Sequence, residues 1–337
     1  FPMRKNISIL STDFSKDNGG IQNWMYYTKK LLNDSLGGVN SYSYKQDSFY
    51  KYLKSLMSDV FFLSTWKQVI FILPSCLTGT KKIFVFVHGS ELLNINSILK
   101  YVFVFLLNRR NTYFIANSNA IGELFLKVTD RNIDFVQYPF ACYSKLLNFE
   151  TNDTHSTIGF FSICRLDKRK NIGNTILALK KIMNNKGLKF NYTIAGSGSE
   201  HESLERLIKC NNLQDNIRLV GRVSDKEKNT LFMNNDYFLM PAIFDEKGGE
   251  IEGFGIVFIE ACSYGLPALC GNSGGMVEAV LHNKTGIHCD GSIGDIENKI
   301  EDLLRFKFDA QLLRQHASSF DYKKQTEFIR FVKDRLG

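Results

Sequence analysis

The chain of 337 residues has no uninterrupted apolar run of the roughly 18 residues that a spanning helix needs. The nearest approaches are Val60 to Leu73, broken by Ser64, Thr65, Lys67 and Gln68, and Tyr101 to Leu107, which is too short. A transmembrane segment is therefore not expected. The stretch from Arg4 to Asp13 does not read as a signal peptide, and Phe1-Pro2 reads as foreign to a native start at Met3. No C-x-x-C occurs. The seven cysteines are odd in number and widely spaced, which argues against a disulfide framework or a zinc site and for reduced, buried thiols in a cytosolic protein. There is no internal repeat and no low-complexity tract. Gly19-Gly20 does not supply the G-x-G-x-x-G that a nucleotide-dependent dehydrogenase wants after its first strand.

What remains is the composition of a soluble globular protein, 44% apolar and 23% charged, long enough for two domains. The net charge of +8 is unevenly spread. Residues 1–150 hold 17 Lys+Arg against 10 Asp+Glu, whereas residues 151–337 hold 25 against 24. The basic excess lies near aromatic stretches, Phe49-Tyr50-Lys51-Tyr52 and Phe61-Phe62, a combination suited to anionic phospholipid heads at a membrane surface. Such charge also attracts nucleic acid, but no nucleic-acid motif accompanies it, and an ordinary solvated basic surface is the plainer alternative.

Short apolar runs alternate with helical patterns along the whole chain. Strands are expected at Asn6 to Ser11, Lys82 to Val87, Thr112 to Ala116 and Ile133 to Tyr138, and again at Ile158 to Cys164, Phe190 to Ala195, Ile217 to Val220, Tyr237 to Met240 and Pro267 to Cys270. Most are continuously apolar, as for strands covered on both faces in parallel sheets. Ile21, Trp24, Met25, Leu31 and Leu32 share one helical face, and Ile172, Ile176, Leu177 and Leu179 to Ile182 another. The pattern is α/β, with two doubly wound domains. Asn148 to Ser156 is the linker candidate, giving domains over 1–150 and 151–320, with a final helix over 321–337.

Ligands of open α/β sheets gather at the carboxyl ends of strands, so the residues there are the candidates. Gly19-Gly20 opens the first long helix and either forms a plain turn or lets backbone approach an anion. His88 follows an apolar strand, as a ligand to a hydroxyl or as a cap. Arg165 to Asn171 sets four cations at a strand end and helix start, where the macrodipole disfavours them, so an anion is expected there. Arg165 offers a planar fork and Lys170 a point charge for phosphate, while Lys168 and Arg169 read as a solvated face. Gly196-Ser197-Gly198 is a strand-to-helix turn or a backbone approach to a nucleotide. The most informative segment is Glu250-Ile251-Glu252-Gly253-Phe254-Gly255-Ile256-Val257-Phe258-Ile259-Glu260-Ala261, with Glu252 and Glu260 its spaced carboxylates. Two carboxylates stand across a Gly-x-Gly turn whose amides, from Gly253 to Val257, can meet a phosphate; Glu252 can accept from sugar hydroxyls, and Glu260, about two turns into the helix, can hold a ribose diol. The plainer reading is a surface Glu252 and a salt-bridged Glu260.

With GGIQ at 19–22, HG at 88–89, ANS at 116–118, R-x4-KN at 165–171, AGSG at 195–198, GRV at 221–223, EGFGIVFIEA at 252–261 and GNSGG at 271–275, the chain resembles the retaining glycosyltransferases of family 4. The segment around Glu252 and GGIQ look closest to bacterial members that include GDP-mannose-dependent mannosyltransferases. The resemblance implies the GT-B architecture, two Rossmann-like domains facing across a cleft. It implies that Arg165 and Lys170 bind the donor diphosphate, that Glu252 and the Gly253-Phe254-Gly255 backbone hold the transferred hexose, and that Glu260 binds the ribose. Ser197, Arg222 and Val223 are implied near the base and its sugar, His88 near the hexose, and Gly20 near the diphosphate. The implied reaction is retaining transfer from a GDP- or UDP-sugar to a lipid-linked saccharide at the inner face of the cell membrane. No D-x-D occurs, so no metal cofactor is expected. An epimerase of the same architecture, or a non-catalytic nucleotide- or membrane-binding module, is the alternative.

Overall fold

The computed structural model describes residues 5–15, 19–76, 80–93, 95, 97–143, 157–244 and 250–337. The linker candidate 148–156 lies outside them. The chain divides into two units, one of Phe1–Cys142 with Phe320–Gly337 and one of Tyr143–Ser319. Each is built on a six-stranded, wholly parallel sheet.

In the first unit the strands are β1 (Ile7–Ser11), β2 (Val39–Ser43), β3 (Val60–Leu63), β4 (Lys82–Val87), β5 (Thr112–Ala116) and β6 (Phe135–Val136), in the order β2-β1-β3-β4-β5-β6. Every side chain of β1 and β3 is buried: β3 is continuously apolar, and in β1 the buried Ser8 hydroxyl pairs with that of Ser58. Phe61 and Phe62 are therefore core residues and not part of an aromatic surface. The run Val60 to Leu73 is split into β3 and a 3₁₀ helix, Trp66–Ile72, whose Gln68 side chain bonds back to the Ser64 backbone amide and hydroxyl. Helix Gly20–Leu36 buries Trp24, Met25, Leu31 and Leu32 as its periodicity predicts, but Ile21 in its first turn is exposed. The last helix, Thr326–Leu336, packs Phe328 and Phe331 against Phe86 and Phe135 of this same sheet.

In the second unit the strands are β7 (Ile158–Ile163), β8 (Phe190–Ala195), β9 (Ile217–Gly221), β10 (Tyr237–Met240), β11 (Ala268–Gly271) and β12 (Gly286–Cys289), in the order β12-β11-β10-β7-β8-β9. Phe160, Ile194, Leu239 and Leu269 form the sheet side of a core that Ile176 and Leu179 of helix Ile172–Lys186 close. That helix ends where Gly187 takes the left-handed conformation, φ 64°. No helix of the described residues is long and apolar enough to cross a membrane. None of the seven cysteines is in a disulfide, and Cys210, unlike the buried Cys262, Cys270 and Cys289, is exposed.

Candidate functional site

In the second unit the strand order reverses between β7 and β10. Loops leaving neighbouring strands in opposite directions open a crevice at the carboxyl edge of the sheet. The loop after β7 carries Arg165 to Asn171, and the chain after β10 carries Glu250 and Glu252. The two segments meet through charge. Glu252 Oε2 accepts from Arg169 Nη1 at 2.5 Å and from Lys170 Nζ at 2.6 Å. Arg169 Nε reaches Glu250 Oε2 at 3.4 Å. Arg165 donates from Nε to Asp167 Oδ2 at 2.9 Å, and its Nη2 lies 3.8 Å from Glu250 Oε1.

Arg169 and Lys170 are buried, and the Glu252 side chain is only 16% exposed. Burial alone pushes the Glu252 carboxyl up, but Lys170 and Arg169 together outweigh it and hold its pKa at about 2. Two expectations are corrected here. Arg169 is not on a solvated face; it is an inward cation on the same carboxylate as Lys170. Within the chain the cationic cluster is offset by Glu252, with Glu250 and Asp167 beside it. Glu252 is likewise not a surface residue. Cys164 lies at the base of this loop with its thiol pushed up to about 12 by burial, so it offers no nucleophile.

The local sequence explains the placement. Asp167 caps the single 3₁₀ turn Lys168–Lys170 by accepting from the Lys170 amide. Asn171 turns the chain in a left-handed conformation, φ 60°, and donates from Nδ2 to Pro241 O and Gly291 O. The Ile243 amide donates to Arg169 O at 2.9 Å. The loops after β7, β10 and β12 are thus tied together behind the charges. The Gly275 amide donates to the Glu252 backbone carbonyl at 3.0 Å, so the end of the GNSGG segment holds the backbone that carries this carboxylate. Gly253 and the buried Phe254 lead from it to Gly255, which caps helix Ile256–Tyr264 at φ 87°; a Cβ there would stand 2.6 Å from the Phe258 ring. No side chain caps that helix, whose first residues are Ile256 and Val257.

Gly196 has φ 131°, and a Cβ on it would lie 1.8 Å from Cys164 O. This glycine is required by the neighbouring loop, whatever ligand comes near. Gly196→Ala is expected to destabilise the second unit by at least about 2 kcal/mol, from left-handed strain plus the clash. A lowered hydrogen-exchange protection of β7 and β8 measures it; unchanged protection refutes the packing assignment.

The remaining residues fall into separate contacts. Ser197 Oγ accepts from Arg222 Nε at 2.8 Å, and Val223 follows just before the capping box of helix Asp225–Met233, made by Ser224 and Glu227. Glu260 lies one turn, not two, into its helix and accepts from Lys228 Nζ at 2.9 Å. Glu260 holds the Lys228 ammonium up against the opposing effect of burial. The structure therefore gives Glu260 the salt-bridge partner that the plainer reading anticipated, and among the described residues no hydrogen bond or ion pair joins it to the Glu252 cluster. In the first unit, His88 at the end of β4 donates from Nε2 to Ser64 O at 2.6 Å and stands edge-on to Trp24. Its amide donates to Glu91 Oε1. Gly20 is the first residue of its helix, after Gly19 at φ 129°.

Arg169 and Glu250 join the candidate site in the structure although sequence reasoning assigned neither of them a role. The available signal was number: the sequence sets four cations between 165 and 170 and two glutamates at 250 and 252, more than one cation pair and one carboxylate account for, and the structure joins Arg165, Arg169 and Lys170 to the glutamates. A polar cavity of about 360 Å³ is lined by Thr157, Thr193, Arg218 and Asp236. Thr157 and Asp236 precede β7 and β10, so it lies at the amino ends of those strands and not at the charge cluster.

A family model described as glycosyl transferases group 1 matches residues 148–324, just over half of the chain. A GDP-mannose-dependent alpha-(1-6)-phosphatidylinositol monomannoside mannosyltransferase of Mycobacterium tuberculosis is 38% identical over 112 residues, 33% of this chain and 29% of that protein. The amylovoran biosynthesis glycosyltransferase AmsK of Erwinia amylovora is 31% identical over 132 residues, 39% and 32% of the two chains. The chain thus spans about a third of the length of the curated relatives it matches. Among solved structures, HepE of Anabaena in complex with UDP and glucose superposes with a TM-score of 0.74 at 17% identity, covering 98% of this chain and 99% of that one. Sucrose-phosphate synthase of Thermosynechococcus elongatus gives 0.78 at 16% identity, covering 99% of each. At these identities the structural likeness establishes the fold, two Rossmann-like domains of the GT-B type.

Proposed function

We propose that this chain, which belongs to the glycosyl transferases of group 1, moves a hexose with retention from a nucleotide-diphosphate sugar to a hydroxyl of a lipid-linked saccharide. The donor is GDP-mannose or a UDP-hexose. The acceptor is a growing surface polysaccharide, O-antigen or capsule, met by the protein at the inner face of the cell membrane. One observation carries the reading: Arg165, Arg169 and Lys170 converge with Glu250 and Glu252 at the carboxyl edge where the strand order reverses. A cluster of this sign and position fits a bound diphosphate with a sugar beside it. The Mycobacterium tuberculosis relative is described as GDP-mannose-dependent, and HepE holds UDP and glucose; both donor classes are therefore kept.

The chemistry follows from the charges. As the glycosidic bond to the donor breaks, negative charge grows on the departing nucleoside diphosphate. Arg165, Lys170 and the uncapped amides of Ile256 and Val257 stabilise it. Glu252 accepts from hydroxyls of the hexose, supported by the Gly253-Phe254-Gly255 backbone. The acceptor hydroxyl attacks from the face the diphosphate leaves, and a donor phosphate oxygen takes its proton, so the anomeric configuration is kept. Glu252 stays ionised throughout and is neither nucleophile nor acid. Glu260 is assigned to the ribose, in exchange with Lys228; Ser197, Arg222 and Val223 to the base side; His88 to the hexose; and Gly20 to the diphosphate. No metal enters these steps.

Calorimetric titration with UDP and GDP tests the reading. One nucleotide is expected to bind, with equal affinity in EDTA and in Mn²⁺. Absence of binding by both, with and without metal, would remove the transferase assignment. Binding and turnover lost in EDTA and restored by Mn²⁺ would overturn metal independence.

A further inference from the structure

Of the chain's net +8, residues 41–110 carry +6, with nine Lys+Arg against three Asp+Glu. The structure places exposed apolar residues among these charges. In helix Phe49–Leu56, Phe49 is 71% exposed and Tyr50 77%, and Met57 at the helix end is 75% exposed; Leu53 is exposed as well. At roughly 100° per residue these four share an arc of about 100°. Lys54 and Lys51 follow on the adjoining arc, and both are exposed. The opposite side carries the buried Ser55 and the half-buried Tyr52, which sits against Tyr42 of β2. The helix therefore turns its apolar stripe outward, the reverse of an ordinary surface helix.

The feature extends beyond one helix. Ser75 donates to Leu56 O, and Tyr44 stacks on Phe71, which joins this helix to the 3₁₀ helix Trp66–Ile72 and the turn after it. There Ile70 and Lys67 are exposed. Helix Ser97–Leu107 packs on the 3₁₀ helix and exposes Tyr101, 81%, with Val104, Phe105 and Lys100. Asp47 and Asp59 are each engaged by a lysine, Lys51 and Lys81. Lys45, Lys54, Lys67 and Lys100 have no ion pair among the described residues.

We infer that this face is an in-plane anchor for an anionic bilayer, with Phe49, Tyr50, Leu53 and Met57 entering the headgroup boundary and the lysines resting on lipid phosphates. Aromatic and aliphatic side chains in an outward stripe, flanked by flexible cations, match the interfacial zone on both chemistries. A second copy of the chain fits worse, because joining two such faces sets like charges together. The inference deepens the proposed function by naming the surface that brings the enzyme to a lipid-linked acceptor, and it rests on that reading only for its purpose.

The test is co-flotation of the full chain with phosphatidylcholine vesicles, with and without phosphatidylglycerol, beside nucleotide titration of the same samples. Wild type is expected to bind the anionic vesicles and to be released by salt. The variant Phe49→Ser/Tyr50→Ser/Met57→Ser is expected to bind at least about tenfold more weakly while keeping its nucleotide affinity. A second variant, Tyr50→Trp, guards against misfolding of the triple one. Trp24 and Trp66 are buried, so a blue shift of emission on adding anionic vesicles reads position 50. Equal binding to neutral vesicles, undiminished binding by the triple variant, or no blue shift overturns the anchor. So does a wild-type dimer in sedimentation that the triple variant abolishes, without vesicle binding. Vesicle binding without nucleotide binding leaves the anchor standing and removes the transferase reading instead.

Discussion

Replacing Arg165 by alanine is expected to slow hexose transfer by about 10²–10³-fold while leaving the fold almost unchanged. The separation of the two effects is what makes this residue the sharpest probe of the site. Its side chain is 65% exposed, and its partners are Asp167 at 2.9 Å and the half-exposed Glu250 at 3.8 Å. Exposed pairs of this kind contribute about 0–1 kcal/mol to stability, so the melting temperature moves little. A guanidinium that meets a charge growing on a leaving group is worth about 3–4 kcal/mol in the transition state. The loss falls on kcat as well as kcat/KM if Arg165 acts on the departing diphosphate, and on KM alone if it only tethers the donor. Lys168→Ala is the control: Lys168 is exposed on the same turn and makes no ion pair among the described residues, so its turnover stays at the wild-type level. Near-normal turnover by Arg165→Ala would take the diphosphate away from this loop.

The contrast between Arg165 and its neighbours shows what the sequence makes legible. The strands were readable because parallel sheets covered on both faces demand continuous apolar runs; β4, β5, β8 and β10 stand where those runs predict them. The second, third and last strands were not picked out. Val39–Ser43 carries Asn40 and Ser41 at a sheet edge, Val60–Leu63 is hidden within a longer apolar stretch, and Gly286–Cys289 opens on glycine and places His288 in its middle. The site is similar. Arg165 stands just after a strand, and Lys170 and Glu252 on segments that open helices, where position alone singles them out. Arg169 is distinguishable from Lys168 only by which way a single 3₁₀ turn points it, and that direction is set by Asp167 accepting from the Lys170 amide and by Asn171 bonding to loops 70 and 120 residues away. Tertiary contacts of that span leave no local pattern.

The last prediction concerns the carboxylate those two cations share. Glu252→Gln is expected to destabilise the second unit by about 3–5 kcal/mol at neutral pH, because it keeps the shape and removes the charge. Arg169 and Lys170, each with a side chain only 9% exposed, would then be buried with Glu250 and Asp167 as their remaining counter-charges. The pH dependence identifies the cause. Glu252 has its pKa lowered from the ordinary 4.5 to about 2, so folding favours its ionised form. The stabilisation is complete above about pH 4.5 and is lost as pH falls through about 2, a change of about 3 kcal/mol. The stability gap between wild type and Glu252→Gln should therefore narrow with acidification across that window, while carboxylates common to both proteins cancel in the difference. Both tryptophans, Trp24 and Trp66, belong to the first unit, so their fluorescence does not read this event; hydrogen exchange of β7 and β10 amides does. Two cations on one carboxylate also have a functional meaning. On the proposed reading, a donor diphosphate would draw Lys170 away, and Arg169 would remain to keep Glu252 ionised and in place for the sugar. Arg169→Met is then expected to weaken donor binding as well as stability, since Lys170 must choose between Glu252 and phosphate. A Glu252→Gln protein as stable as wild type, or a gap that stays constant from pH 5 to pH 2, would show that the buried charge cluster does not hold this edge of the sheet together.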